Sequence, residues 1–148
     1  MAKLLSEDEE FISFLALNST GDQIENEQLW QGYALEIGNG PISLKYGGAK
    51  DDGYLFCRKP KDEIKMFCQN LQTFMDNRMQ SLQFEPSEPS FELSLERVES
   101  FGVKVSVFVD DGNASSAIAR WDAFGLRFFT TDANLERFIN ELKSEFAC

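Results

Sequence analysis

The sequence predicts an α+β fold, an antiparallel sheet of about six or seven strands carrying two amphipathic helices, at about 61–80 and 132–146. Three observations support it. Phe91, Leu93 and Leu95 alternate with Glu92, Ser94 and Glu96, and Val103, Val105 and Val107 alternate with Lys104, Ser106 and Phe108, the period-two pattern of half-buried strands. Two other stretches repeat apolar residues at spacings of three and four, the pattern of a helix with one buried stripe. Short turn-forming segments rich in Gly, Asp and Asn separate the strand runs, so neighbouring strands must pair antiparallel.

Both a helix and a strand fit residues 6–17. Ser6 to Glu9 has the form of a capping box, whereas Phe11 to Leu17 is a continuous apolar run suited to a buried strand, and the strand is favoured. Residues 18–31, with Gly21, Asp22, Glu25 and Glu27, read as an acidic loop with Trp30 in or beside it. Residues 1–31 thus form a less regular acidic segment before a strands-helix-strands-helix core over 32–148.

That core starts with a hairpin in which Tyr33, Leu35 and Ile37 precede, and Ile42, Leu44 and Tyr46 follow, the turn Gly38-Asn39-Gly40-Pro41. Asp51-Asp52-Gly53 is a further turn, and Tyr54 to Cys57 a short strand. Pro60 suits a first helical position, and Asp62 and Glu63 suit the positive end of the helix dipole. Ile64, Phe67, Cys68, Leu71, Phe74, Met75 and Met79 supply the stripe. Pro86 and Pro89 make residues 83–90 a crossing loop. The hairpin of residues 91–109 turns through Ser100, Phe101 and Gly102, and Asp110-Asp111-Gly112-Asn113 forms the next turn. Residues 116–129 read as one long strand or two short ones broken near Asp122-Ala123. Thr131 or Asp132 caps the last helix, whose stripe is Leu135, Phe138, Ile139, Leu142 and Phe146.

The 148 residues are the length of one domain, and the 14 Phe supply ample core material. The formal net charge of -11 repels phosphate backbones and anionic membrane surfaces and draws a basic partner instead. Three Cys without paired spacing argue against a disulfide framework or zinc site and suit a reducing compartment. The acidic start does not look like a signal peptide, and no apolar run reaches membrane-spanning length, so a soluble cytoplasmic protein is expected.

The chain contains no His, which removes Ser–His and Cys–His mechanisms and the commonest zinc ligand. Cys57, near Arg58, Lys59 and Lys61, reads as a structural cysteine, and the Asp51-Asp52 and Asp110-Asp111 pairs as turn chemistry lacking the alternation of a calcium loop. Gly38, Gly40, Gly47 and Gly48 precede no helix and make a poor phosphate cradle, so neither cofactor nor metal is expected. The carboxylates of Glu92 and Glu96 project from the polar face of their strand, with Glu99 near its end, and Asp110 and Asp111 lie beyond the next. Together with Trp30, of a residue type favoured at binding hot spots, these are the candidate partner-binding residues; Trp121 reads as core.

The whole arrangement resembles a known family. Glu88-Pro89 stands just ahead of Phe91 to Leu95, Phe101-Gly102-Val103-Lys104-Val105 opens the next strand, and Phe128 to Asp132 enters the closing helix. The pattern, over most of residues 32–146, is similar to the WapI-type immunity proteins of bacterial polymorphic-toxin systems and to related uncharacterised bacterial domains. The resemblance implies a non-enzymatic α+β protein that binds and blocks a toxin, and it brings no catalytic residues. Two other readings stand beside it: a small acidic dimeric secretion chaperone, and an enzyme using a carboxylate pair alone.

Overall fold

Each antiparallel pair in the fold satisfies one row of backbone donors and acceptors, and each alternation of side chains decides which row of residues is buried. The computed structural model describes residues 1–17, 23–25, 28–47, 56–58, 60–76, 79–87, 90–110 and 123–147. These residues form β1 (Ala2–Leu5), β2 (Glu10–Ala16), β3 (Gln23–Glu25), β4 (Gln28–Asn39), β5 (Ile42–Tyr46) and β6 (Phe56–Arg58), followed by helix α1 (Pro60–Met75). After α1 come β7 (Ser81–Phe84), β8 (Phe91–Val98), β9 (Gly102–Asp110), β10 (Ala123–Thr130) and helix α2 (Asp132–Phe146).

The strands build two sheets, not the single sheet expected from the turns. In the first, β4 is the hub: residues 33–39 pair with β2 and residues 35–39 with β5, while residues 28–32 pair with β3 and β6. Strand β1 pairs with the far side of β2. The second sheet has the order β10-β9-β8-β7. All these pairings are antiparallel, as the short turns required.

Several boundaries differ from the sequence reading, each for a local reason. Residues 10–16 are strand, and Ser6 does not cap a helix; its hydroxyl instead donates to Glu10 Oε2 at 2.7 Å. That bond is the main cause holding the Glu10 carboxyl below the usual carboxylate range. Residues 23–25 and 28–31 are strand rather than acidic loop, so Trp30 sits in β4 opposite Arg58. Helix α1 stops at Met75 rather than near 80, because Arg97 Nη2 takes the carbonyls of Phe74 and Met75, each at 3.3 Å, where a further turn would have used them. Met79 packs against the core as coil. Strands β1 and β7, each of four residues, were not expected, and β7 runs from just beyond the expected helix into the expected crossing loop. Strand β10 begins at Ala123; residues 111–122, with most of the turn expected after Val109, the turn at residues 51–53 and the expected strand residues Tyr54 and Leu55 lie outside the described residues.

Both sheets and both helices meet in a hydrophobic core. Phe14 of β2 is its junction, with ring centroids 6.3 Å from Tyr33 of β4, 5.5 Å from Phe91 of β8 and 5.9 Å from Phe138 of α2. Phe67 of α1 stacks on Phe84 of β7 at 4.0 Å. The stripes read from the sequence are buried: Ile64, Phe67, Cys68, Leu71 and Phe74 on α1, and Leu135, Phe138, Ile139, Leu142 and Phe146 on α2. Each such side chain contributes about 1.5–3 kcal/mol by leaving water.

Helix α2 also closes the open edge of the first sheet. The β1 backbone would otherwise present an unpaired row, the usual hazard of an edge strand. Instead Lys3 N–H donates to Glu141 Oε2 at 2.8 Å, and the Leu5 carbonyl accepts from Asn134 Nδ2 at 3.1 Å and from the Thr130 hydroxyl. The chain amino group pairs with Glu145, whose other oxygen takes Ala16 N–H at 3.0 Å. Thr131, not Asp132, is the N-cap, and its hydroxyl accepts from Asn134 N–H.

Candidate partner-binding face

Alternation decides what the second sheet shows to solvent. Phe91, Leu93 and Leu95 of β8 and Val103, Val105, Val107 and Val109 of β9 are buried, so the residues between them form an outer face. Register arranges that face in rows. Gly125, Phe108 and Glu92 form one, Arg127, Ser106, Ser94 and Gln83 the next, and Phe129, Lys104, Glu96 and Ser81 the third. Glu92 and Glu96 therefore share an exposed sheet face, as their spacing required, and Asp110 follows the same parity where β9 ends opposite Ala123.

The other candidates divide. Glu99 is exposed in the tight turn between β8 and β9. Trp30 belongs to the other sheet, so it does not join Glu92 and Glu96 in one row. Asp111 lies outside the described residues.

The strand face is mixed in charge rather than uniformly acidic. Glu96 is ion-paired with Lys104, and Arg127 sets its guanidinium 5.3 Å from the Phe108 ring centroid. Phe108 lies across Gly125, where an added Cβ would collide with the ring. At the turn end of the sheet Glu7, Glu99 and Asp132 are exposed, Asp132 in an ion pair with Arg97. Other carboxylates have been drawn into the frame: besides Glu141 and Glu145, Glu63 is buried and takes Ser87 N–H at 2.6 Å and its hydroxyl at 3.0 Å.

At that turn end sits a feature the sequence reading missed. Phe101 is 68% exposed and Phe129 43% exposed, with their ring centroids 5.7 Å apart. They border a groove of about 300 Å³ whose walls include Glu7, Gly102, Thr131 and Asp132. Phe101 is held by its turn: its N–H bonds the Val98 carbonyl at 3.1 Å, and Ser100 takes a φ of 71° that ordinarily favours Gly. Gly102, at φ 86°, leaves no room for a side chain, because a Cβ would stand 2.9 Å from the Thr130 carbonyl oxygen. The available signal was strand parity, which places Phe129 on the same polar side as Arg127.

Carboxylates four residues apart on one strand face stand about 13 Å apart, whereas a glycosidase pair is about 5–9.5 Å apart. Glu92 and Glu96 therefore do not converge on a common reacting atom. Among the described residues, no group of three potential metal-binding side chains occurs and no helix is long and apolar enough to cross a membrane.

Comparison with curated proteins gave no significant match. Among solved structures, the chain aligns with one from the structure of a guide-RNA-binding protein complex bound to a guide RNA, at 10% identity, covering 91% of this chain and 87% of that one. The TM-score is 0.42. The profile of the Immunity protein WapI-like family matches residues 4–147, taking in the acidic N-terminal segment as well as the core, and the chain belongs to that family.

Proposed function

We propose that this protein is a cytoplasmic immunity protein that binds and blocks a cognate bacterial toxin without bond chemistry of its own. The observation that carries the reading is membership of the WapI-like immunity family over nearly the whole chain. The binding surface is the outer face of the second sheet together with its acidic turn end, with Glu92, Glu96, Glu99 and Asp110 on or beside it. Asp111 extends the same acidic run in the sequence, and Trp30 on the first sheet is a separate contact.

The partner in this reading is basic. A chain with a net charge of -11 attracts a cationic surface over roughly a Debye length, about 8 Å at physiological salt, which raises the encounter rate before any contact forms. Short-range packing then sets the lifetime of the complex. Toxins that attack nucleic acid carry basic clefts for phosphates, and an acidic protein seated there blocks access to the substrate.

The test is calorimetric titration of the purified protein with the toxin domain encoded beside its gene, alongside an assay of toxin activity. Stoichiometric inhibition is expected, with affinity falling at least about tenfold between 0.05 and 0.5 M salt. Failure to bind that domain would overturn the immunity reading, and binding insensitive to salt would remove its electrostatic part.

A further inference from the structure

Several phenylalanine rings in this molecule carry a cation on one face; among the described residues the exposed rings Phe101, Phe124 and Phe129 do not, and of these Phe101 and Phe129 stand together as a pair. On the first sheet, Phe11 lies against Gly38 and carries Lys3 Nζ 3.7 Å above its centroid. On the second, Phe108 lies across Gly125 and carries the Arg127 guanidinium. Even Phe74, at the end of α1, has the Arg97 guanidinium 4.8 Å away. Each of these rings gives a cation its electron-rich face. Phe101 and Phe129 are more exposed than any of them, and among the described residues no cation lies over either ring. The nearest cation in register, Lys104 opposite Phe129, is ion-paired with Glu96.

We infer that the Phe101–Phe129 groove is the socket for an arginine side chain of the basic toxin partner. This rests on the reading that the partner is a basic protein, and it names the anchor of that interface. The guanidinium stacks on the paired rings, and the flanking carboxylates supply charge complementarity. Glu7 lines the groove and Glu99 stands two residues before Phe101; neither forms an ion pair among the described residues. Arginine suits the site better than lysine because its planar, weakly hydrated head stacks on aromatic faces while donating in-plane to carboxylates. The bond from Phe101 N–H to Val98 and the Ser100 conformation fix the turn before binding, which lowers the entropy lost on docking.

The test has two arms. In the first, the isotopically labelled full chain is titrated by NMR with acetyl-Gly-Arg-Gly-amide and, separately, with its uncharged citrulline analogue. Saturable shifts of the Phe101 and Phe129 ring signals with the arginine peptide alone are expected, absent from the F101A/F129A double variant. Ring signals that stay unmoved, or that respond equally to citrulline, would overturn the inference. In the second arm the neighbouring toxin domain is titrated into wild type and the double variant, with an affinity loss of at least about tenfold expected for a central aromatic anchor. Equal affinities would overturn the socket and leave the immunity reading standing. A toxin domain that fails to bind even wild type would overturn the immunity reading, and the peptide arm then decides the socket by itself. Phe101 and Phe129 are solvent-exposed, and an unchanged urea midpoint verifies that the variant is folded.

Discussion

The outer faces of the two sheets use the same device and put it to different ends. In each, a phenylalanine lies over a glycine on the neighbouring strand beneath a cation, Phe11 over Gly38 under Lys3 and Phe108 over Gly125 under Arg127. On the first sheet the surroundings close around it: Phe11 is 7% and Ser13 2% exposed, and α2 seals the β1 edge. On the second sheet Glu92, Glu96 and Arg127 stay in solvent, and the face runs out into the uncovered Phe101–Phe129 pair. Leu15, Ile42 and Leu44 of the first sheet are also exposed, but the ring beside its glycine is enclosed, whereas the second sheet sets exposed aromatic and charged groups side by side, as a surface reserved for a partner does.

Substitutions can break or sharpen that contrast. The largest effect belongs to what the sheets share: Phe14→Ala removes the ring that joins β2, β4, β8 and α2 and should destabilise the fold by about 3–5 kcal/mol in urea unfolding. Both sheets should melt in one transition, and separate transitions would break the picture of a common core. Arg97→Ala should cost about 2–3 kcal/mol, because it strips the donor from the Phe74 and Met75 carbonyls and the 3.2 Å ion pair from Asp132 at the start of α2. Arg97→Lys should recover less than half, since one ammonium cannot span both helix ends.

The contrast itself is measured by the two glycines. A Cβ at Gly38 meets the Ile42 carbonyl at 2.7 Å and the enclosed Phe11 ring at 2.8 Å, so Gly38→Ala should cost about 2–3 kcal/mol. Gly125→Ala displaces a ring that can swing toward solvent and should cost about 1 kcal/mol or less. Equal losses in thermal melts would show that the two faces are equally closed. The smallest effect concerns Glu10, whose carboxyl is held low chiefly by the Ser6 hydroxyl. A carboxylate with a depressed folded-state pKa adds stability above its unfolded-state pKa and loses it as pH falls through the folded value. Ser6→Ala should move the Glu10 titration upward toward the usual range by NMR and flatten the acid limb of the stability profile.

How much of this was legible depended on the range of the interaction. Periodicity is local, so the α2 stripe, most of α1 and the β8–β9 hairpin could be read, and parity placed Glu92 and Glu96 on an exposed face. The end of α1 could not, because Arg97, more than twenty residues on, takes its last carbonyls. Strands β1 and β7 are too short to show a period, and the first third of β4, Gln28 to Gln31, continues an acidic stretch that reads as loop. The split into two sheets is a matter of which non-neighbouring strands pair, and turn residues look the same in either arrangement. The Phe101–Phe129 pair joins a turn to a strand edge through tertiary packing, so sequence spacing could not bring them together.

The most direct measurement of the central claim is amide hydrogen exchange on the protein free and saturated with its neighbouring toxin domain. Slowed exchange concentrated at residues 92–108 and 123–132, with β1, β2 and β5 unchanged, is the predicted result. Protection centred on the first sheet or on the outer surfaces of the two helices would contradict it.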